Sequence, residues 1–231
     1  MDSGLPHSHG VRLAVFDCDG TLVDSQHSII ATMCAAFRDH ALIPPCPEDI
    51  RRLVGLPLGE AISRLLPDKS PATIDGVHGS YIQAFRALRD RGEVREPLFP
   101  GVLAALENVA AGGWILGVAT GKSSRGLIAT LEEHGIIDQF MTLQTADTAQ
   151  GKPHPEMLKN AMNAVGAMPS GTVMIGDTSF DMEMARNAGV MAVGVAWGYH
   201  REDELLQSGA HIIIRNYSEL EKALEGLMEV V

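Results

Sequence analysis

Short, nearly unbroken apolar runs recur along the chain at Val11–Phe16, Trp114–Ala119, Phe140–Leu143, Thr172–Ile175, Val190–Ala196 and Ile212–Ile214. Each has the length of a strand and reads as one buried in a sheet. Between the later runs the spacing becomes helical, over Ser123–His134, Pro155–Val165, Phe180–Ala188, Asp203–Gln207 and Ser218–Met228. Gly135, Gly166 and Gly189 stand just after three of these segments, where a helix ends most easily in a left-handed residue. Strands alternating with amphipathic helices predict βαβ units and a parallel sheet. The expected fold is α/β, a Rossmann-like parallel sheet core flanked by helices.

The alternation breaks once. From Ser25 to Glu96 no strand pattern is present, and helical segments follow one another at Ser28–His40, Glu48–Val54, Leu58–Leu66 and Ala72–Arg91. Pro44, Pro45, Pro47, Pro57, Pro67 and Pro71 punctuate them. An insertion of about 70 residues far exceeds an ordinary strand-to-helix loop. It predicts an all-helical domain, residues 25–96, placed after strand one of a core formed by 1–24 and 97–231. The core resumes at Pro100–Gly101, ahead of a helix over Val102–Ala110.

Composition narrows the function. The 231 residues carry a formal net charge of −11. That argues against a chain that coats nucleic acid or binds an anionic membrane, both of which need clustered Lys and Arg. A small phosphorylated partner stays open, because a metal and one lysine offset its charge locally. Cys18, Cys34 and Cys46 form no C-x-x-C pair, so reduced thiols are expected rather than a disulfide framework or a zinc site. Met1–Gly10 lacks the apolar stretch of a signal peptide. The longest apolar stretch, near Val190–Trp197, is too short for a membrane span. The expectation is a cytoplasmic protein.

In an open α/β sheet, ligands bind beyond the carboxyl ends of the strands. Strand one ends in Asp17-Cys18-Asp19-Gly20-Thr21, the second core strand in Thr120-Gly121, and Thr172–Ile175 in Gly176-Asp177-Thr178-Ser179-Phe180-Asp181. Lys152-Pro153 precedes the helix leading into that last strand. Carboxylates, a hydroxyl and an ammonium converging on one edge suit a hard cation and a phosphoryl group. Each piece has a plainer reading. Asp-x-Asp-Gly is a common turn, Asp177 or Ser179 can cap a helix, and a lone Lys152 is usually solvated. A calcium loop fails, because Thr21, Leu22 and Ser28 stand where it needs an oxygen ligand, Gly and Glu. Gly121-Lys122-Ser123 resembles the end of a P-loop, but Leu116 replaces its first glycine. Cys18 reads as a small buried apolar residue, and the nine histidines show no metal-ligand spacing. It is the joint occurrence at one sheet edge that carries the functional reading.

These residues resemble the haloacid dehalogenase superfamily, and within it the phosphoglycolate-phosphatase-like branch. The resemblance rests on DxDGT at Asp17–Thr21, Thr120 followed by Gly121, Lys152 in Lys-Pro-His-Pro, and GDxxxD from Gly176 to Asp181. It implies a helical cap after strand one and a Mg²⁺-dependent phosphatase acting on a small phosphorylated metabolite. It further implies Asp17 as nucleophile, forming a phosphoaspartate, and Asp19 as general acid and then base. Mg²⁺ would be held by Asp17, the main-chain carbonyl of Asp19, and Asp177. Asp181 would support a metal-bound water or Lys152, while Thr120, the Gly121 amide and Lys152 hold phosphoryl oxygens.

Other activities share the scaffold. A haloacid dehalogenase releases halide without protonation and lacks the second Asp, so Asp19 favours phosphoryl chemistry. A phosphosugar mutase shares the four motifs but has an Arg in the first cap segment, where this chain has Leu58. A phosphonate hydrolase needs a cap Lys for a Schiff base, and Asp19 counts against it. A non-catalytic binding protein on the same fold is the remaining class. For substrate contacts from the insertion, the basic candidates near loops are Arg51, Arg52, Arg64 and Lys69, with a solvated helix face as their ordinary role.

Overall fold

A computed structural model describes residues 10–229; Met1–His9, most of the stretch read for a leader, lies outside them. Six strands form one sheet: β1 Arg12–Phe16, β2 Trp114–Thr120, β3 Phe140–Thr145, β4 Thr172–Gly176, β5 Met191–Val195 and β6 Ile212–Ile214. Their order is β3-β2-β1-β4-β5-β6, and every pair is parallel. The chain runs outward from β1 to β3, then returns to the other side of β1 at β4. A crevice opens where the direction of winding switches, between β1 and β4.

Ten helices accompany the strands in the described residues: α1 Gln26–Asp39, α2 Pro47–Arg51, α3 Leu58–Leu65, α4 Pro71–Asp90, α5 Val102–Ala111, α6 Ser124–Glu133, α7 Glu156–Val165, α8 Ser179–Ala188, α9 Glu202–Ser208 and α10 Leu220–Met228. The alternation of β1 sorts them into layers. Ala14 and Phe16 join Leu106, Leu127, Leu131 and Leu224 on one face, while Leu13 and Val15 join Met157, Leu158, Met182 and Leu205 on the other. Both faces of the sheet are therefore covered, which is why its strands read as continuous apolar runs. None of the described helices is long and apolar enough to cross a membrane.

Helices α1–α4 fall between β1 and α5 and share their own apolar cluster of Met33, Ala36, Phe37, Ile50, Ile62, Leu66 and Val77. Local signals set their ends. Ser70 accepts a hydrogen bond from the Thr73 amide at 3.3 Å and Pro71 fills the first turn of α4, a position where proline costs no hydrogen bond. Strand β3 runs two residues past the expected Leu143, pairing Gln144 with Ala119 and Thr145 with Thr120. Its polar end hides it from a hydrophobicity pattern. Helix α2 stops at Arg51 rather than Val54, because tight turns carry the chain on to Gly55, which adopts φ +100°.

Candidate active site

Register builds the site. Phe16 pairs with Val118 on one side and Ile175 on the other. Asp17, Thr120 and Asp177, one or two residues further along the three central strands, are consequently brought to one edge of the sheet. Asp17 is fully buried, and its amide donates to the Ile175 carbonyl at 2.9 Å. The chain then turns back on itself, with the Leu22 and Val23 amides both donating to the Cys18 carbonyl at 2.9 and 3.0 Å. Gly20 takes φ +89°, and a Cβ there would run into the Asp177 carboxylate and the Tyr199 ring. Only glycine permits that close approach. Tyr217 Oη and Trp197 Nε1 fasten the turn by donating to the Thr21 carbonyl at 2.8 and 3.2 Å.

Three carboxylates, those of Asp17, Asp177 and Asp181, place oxygens within 4.8 Å of one another. Lys152, also fully buried, lies 2.8 Å from Asp17 Oδ1 and 2.6 Å from Asp181 Oδ1. Asp181 Oδ2 accepts from the Thr178 hydroxyl at 2.7 Å and amide at 3.1 Å, closing a capping box at the start of α8. Asp177 accepts from Thr21 Oγ1 and the Tyr199 amide, each at 2.9 Å. Burial drives Asp17 up to about 7; Lys152 opposes this and Asp181 reinforces it. Burial also lifts Asp177 well above the usual carboxylate range, with Asp17 and Asp181 adding to it. Burial would lower Lys152, but Asp17 and Asp181 carry it upward, so it stays an ammonium.

The residues present fit a divalent cation. Asp17 Oδ2 is buried with no hydrogen-bond partner among the described residues. Three carboxylates share one ammonium; ionised together they would leave two negative charges unpaired in a region where an unpaired charge is costly. Asp17 and Asp177 offer oxygen donors, as a hard cation requires. The side chain of Asp19 is not in this cluster. It points the other way, toward Lys122.

The family model for haloacid dehalogenase-like hydrolases matches residues 14–195. The chain belongs to the haloacid dehalogenase-like hydrolase family. It is 35% identical over 221 residues to the protein of Dickeya dadantii (strain 3937) named "Probable phosphatase IndB", covering 94% of this chain and 95% of that one. It is 30% identical over 194 residues to the phosphoglycolate phosphatase of Xylella fastidiosa (strain 9a5c), covering 84% and 83%. Among solved structures, a hydrolase from Pseudomonas syringae superposes with a TM-score of 0.79 over 93% of this chain and 98% of that one. At 24% identity that match speaks for the fold alone.

The outer half of this haloacid dehalogenase-like site holds residues the motifs do not single out. Lys122 Nζ lies 2.8 Å from both Asp19 Oδ1 and Glu96 Oε1. Glu96 is buried and also accepts from Thr130 Oγ1 at 2.6 Å and from Arg89 Nη2 at 3.4 Å. Burial would lower Lys122, but Asp19 and Glu96 hold it well above the ordinary lysine range. The Lys122 amide donates to Thr120 Oγ1 at 3.3 Å, tying the pair to the end of β2. In sequence Lys122 appears only as part of a failed P-loop, and Glu96 only as a charge beside Pro97. Residues 26 and 103 positions from Lys122 complete the network, so no local pattern could reveal it.

The helical insertion sits against this edge. A Cβ on Gly121 would lie 2.5 Å from the Gly55 carbonyl oxygen and 2.7 Å from that of Leu56. His200 accepts from the Ser179 amide at 3.1 Å through Nδ1, which makes its other nitrogen the donor to the Arg52 carbonyl, also at 3.1 Å. The four basic residues considered for substrate contact lie elsewhere. Arg51 pairs with Glu48, Arg52 with Glu204 and Arg64 with Glu60, all at the surface, with Arg51 and Glu204 half-buried. Arg52, Arg64 and Lys69 line a separate surface hollow on the insertion, with Phe37 and Leu42. The cavity beside Asp19 is lined instead by Lys122, Arg86, Arg89 and Arg125 among its basic residues. The correction follows from helix phase. Proximity to a loop in sequence does not say which face of a helix meets the core.

Proposed function

We propose that the protein is a Mg²⁺-dependent phosphatase that hydrolyses a small phosphate monoester through a phosphoaspartate on Asp17, with residues 25–96 acting as a cap. The observation that carries this reading is the buried oxygen of Asp17 without a partner among the described residues, in a cluster of three carboxylates that shares one ammonium. Mg²⁺ would be held by Asp17, Asp177 and the main-chain carbonyl of Asp19, and would supply charge neutralisation for an anionic nucleophile meeting an anionic phosphoryl group. Lys152 serves the same end from the other side of Asp17, while Asp181 fixes its ammonium. Thr120 and the Gly121 amide hold phosphoryl oxygens in line with the Asp17 carboxylate. Asp17 attacks phosphorus as the P–O bond to the leaving group breaks. Asp19 gives its proton to the departing oxygen, then takes one from the water that cleaves the acyl phosphate. Curated relatives named as phosphatases support the same class of reaction.

A mutase would need to hold a second phosphate, and the position that would supply an arginine is the apolar Leu58 on the cavity wall. A dehalogenase has no use for Asp19 on a lysine. Neither reading draws support from the geometry.

Phosphate release from p-nitrophenyl phosphate should vanish on exhaustive chelation and return with Mg²⁺. Calcium should restore little, because its larger and looser shell does not impose the same geometry. Full activity after chelation would sink the metal assignment.

A further inference from the structure

Between the helical insertion and the core lies a cavity of about 550 Å³. That size falls within the ~300–1,000 Å³ typical of sites for drug-sized ligands. Its polar groups gather at the inner end, where Asp19, Thr120, Gly121 and Lys122 face the phosphoryl position. Beyond them the wall is mainly apolar, made by Ile29 and Met33 of α1, Leu56 and Leu58 at the start of α3, and Tyr81 and Phe85 of α4, with His78 also on α4. The two aromatic rings stack, with centroids 6.0 Å apart and planes 25° apart.

The charges around the cavity do not alter its character. Lys122 is committed to Asp19 and Glu96, and Arg89 to Glu96 while its guanidinium lies over the Phe85 ring. Arg86, Asp90, Arg125 and Asp147 are exposed and form a rim of mixed sign. His78 and Ser123 also line the cavity, but its part-buried cations, Lys122 and Arg89, are committed to Asp19 and Glu96, so neither is free to pair with the carboxylate of a two-carbon acid phosphate. Such a molecule would also leave most of the space as water against apolar carbon, which is unfavourable.

Resting on the phosphatase reading, we infer that the leaving alcohol of the substrate is an apolar body of at least aryl-ring size, rather than a small hydrophilic acid such as glycolate. The phosphate is fixed at the inner end. The alcohol extends along the α1–α4 wall, with Tyr81 and Phe85 against it.

A series of n-alkyl phosphates from methyl to octyl tests this on the wild-type protein with Mg²⁺. Their leaving oxygens have nearly the same basicity, so the chemistry stays constant while the buried length grows. At ~0.8 kcal/mol per buried methylene, kcat/KM should climb roughly fourfold per carbon until the cavity is filled. Benzyl phosphate should exceed phosphoglycolate by at least about 100-fold, the worth of roughly three to four buried methylenes. Phe85→Ala and Leu58→Arg should each lower the ratio of hexyl to methyl phosphate turnover by about tenfold. Binding of n-alkylphosphonates, read directly by calorimetry, should follow the same slope, and it needs neither turnover nor a variant. A flat or falling slope, or phosphoglycolate as the best ester, would overturn the inference while leaving the phosphatase reading intact. No turnover of any ester, p-nitrophenyl phosphate included, would overturn the phosphatase reading, and the phosphonate slope would still decide the character of the cavity.

Discussion

The inner and outer halves of the site solve the problem of buried charge in opposite ways. Around Asp17, three carboxylates share one ammonium, and an oxygen is left without a partner. Around Asp19, two carboxylates meet two cations, Lys122 and Arg89, and Glu96 is satisfied on both oxygens. The inner half leaves a buried carboxylate oxygen without a partner among the described residues, and its oxygen donors fit a cation. The outer half is complete, so its charges cannot be there to bind one. Its lysine instead sets where the Asp19 carboxylate points, from a strand-end position and a residue at the edge of the insertion. On the proposed mechanism the first half would take the metal and the phosphoryl group, and the second would hold the Asp19 carboxylate at a fixed place beside the leaving group.

The comparison breaks first at its nucleophile. Asp17→Asn should abolish turnover of every ester, with no labelled phosphoenzyme in rapid-quench experiments; a phosphoenzyme in that variant would reassign the nucleophile. Asp19→Asn should be the next largest effect. Loss of general acid–base help costs ~10²–10⁴-fold on alkyl phosphates, whose leaving oxygen needs a proton. A nitrophenyl ester needs it less, so its first step should survive better and acid-stable phosphoenzyme should accumulate. Equal slowing of both ester classes with no accumulation would remove Asp19 from the proton path.

Lys122→Met sharpens the claim that the outer half is self-compensating. It leaves the buried Glu96 and Asp19 without their shared cation, and breaking a buried pair in this way costs ~3–5 kcal/mol of stability. Urea unfolding would measure it. Adding Glu96→Gln should recover part of the loss, because the stranded charge goes with it; an additive loss would contradict the pairing. The smallest of these effects is expected at Gly121→Ala. Its methyl group would press on the Gly55 and Leu56 carbonyls and displace the insertion from the core edge. Misplacing reacting groups by about an ångström can cost ~10²-fold, so a fall of ~10- to 100-fold in kcat/KM with little change in thermal stability is expected. Unchanged kinetics would show that this contact does not position the site.

Much of this molecule is written locally. All six strands were expected from apolar runs, and most boundaries agree to one residue, because strands covered on both faces need apolar side chains throughout. Where a strand's end leaves the apolar layers, as at Gln144 and Thr145, the pattern goes silent although the backbone still pairs. The motif residues were equally legible. Asp17 and Asp177 follow directly on strands and Thr120 ends one, and parallel register must bring such positions to one edge.

Sequence alone therefore determined the α/β core, the helical nature of the stretch between β1 and α5, and which side chains gather at the carboxyl edge of the sheet. Each is encoded by neighbours in the chain, through periodicity, caps and strand ends. Tertiary structure decided which lysine serves which aspartate. It placed Glu96 against Lys122 and turned Arg51, Arg52 and Arg64 away from the cavity that Tyr81 and Phe85 wall. These outcomes depend on how a packed helical body rests on a separate sheet. That placement is fixed by contacts such as Gly121 on the Gly55 carbonyl and His200 on the Arg52 carbonyl. Their partners lie far apart in the chain, so no local stretch of residues carries the information.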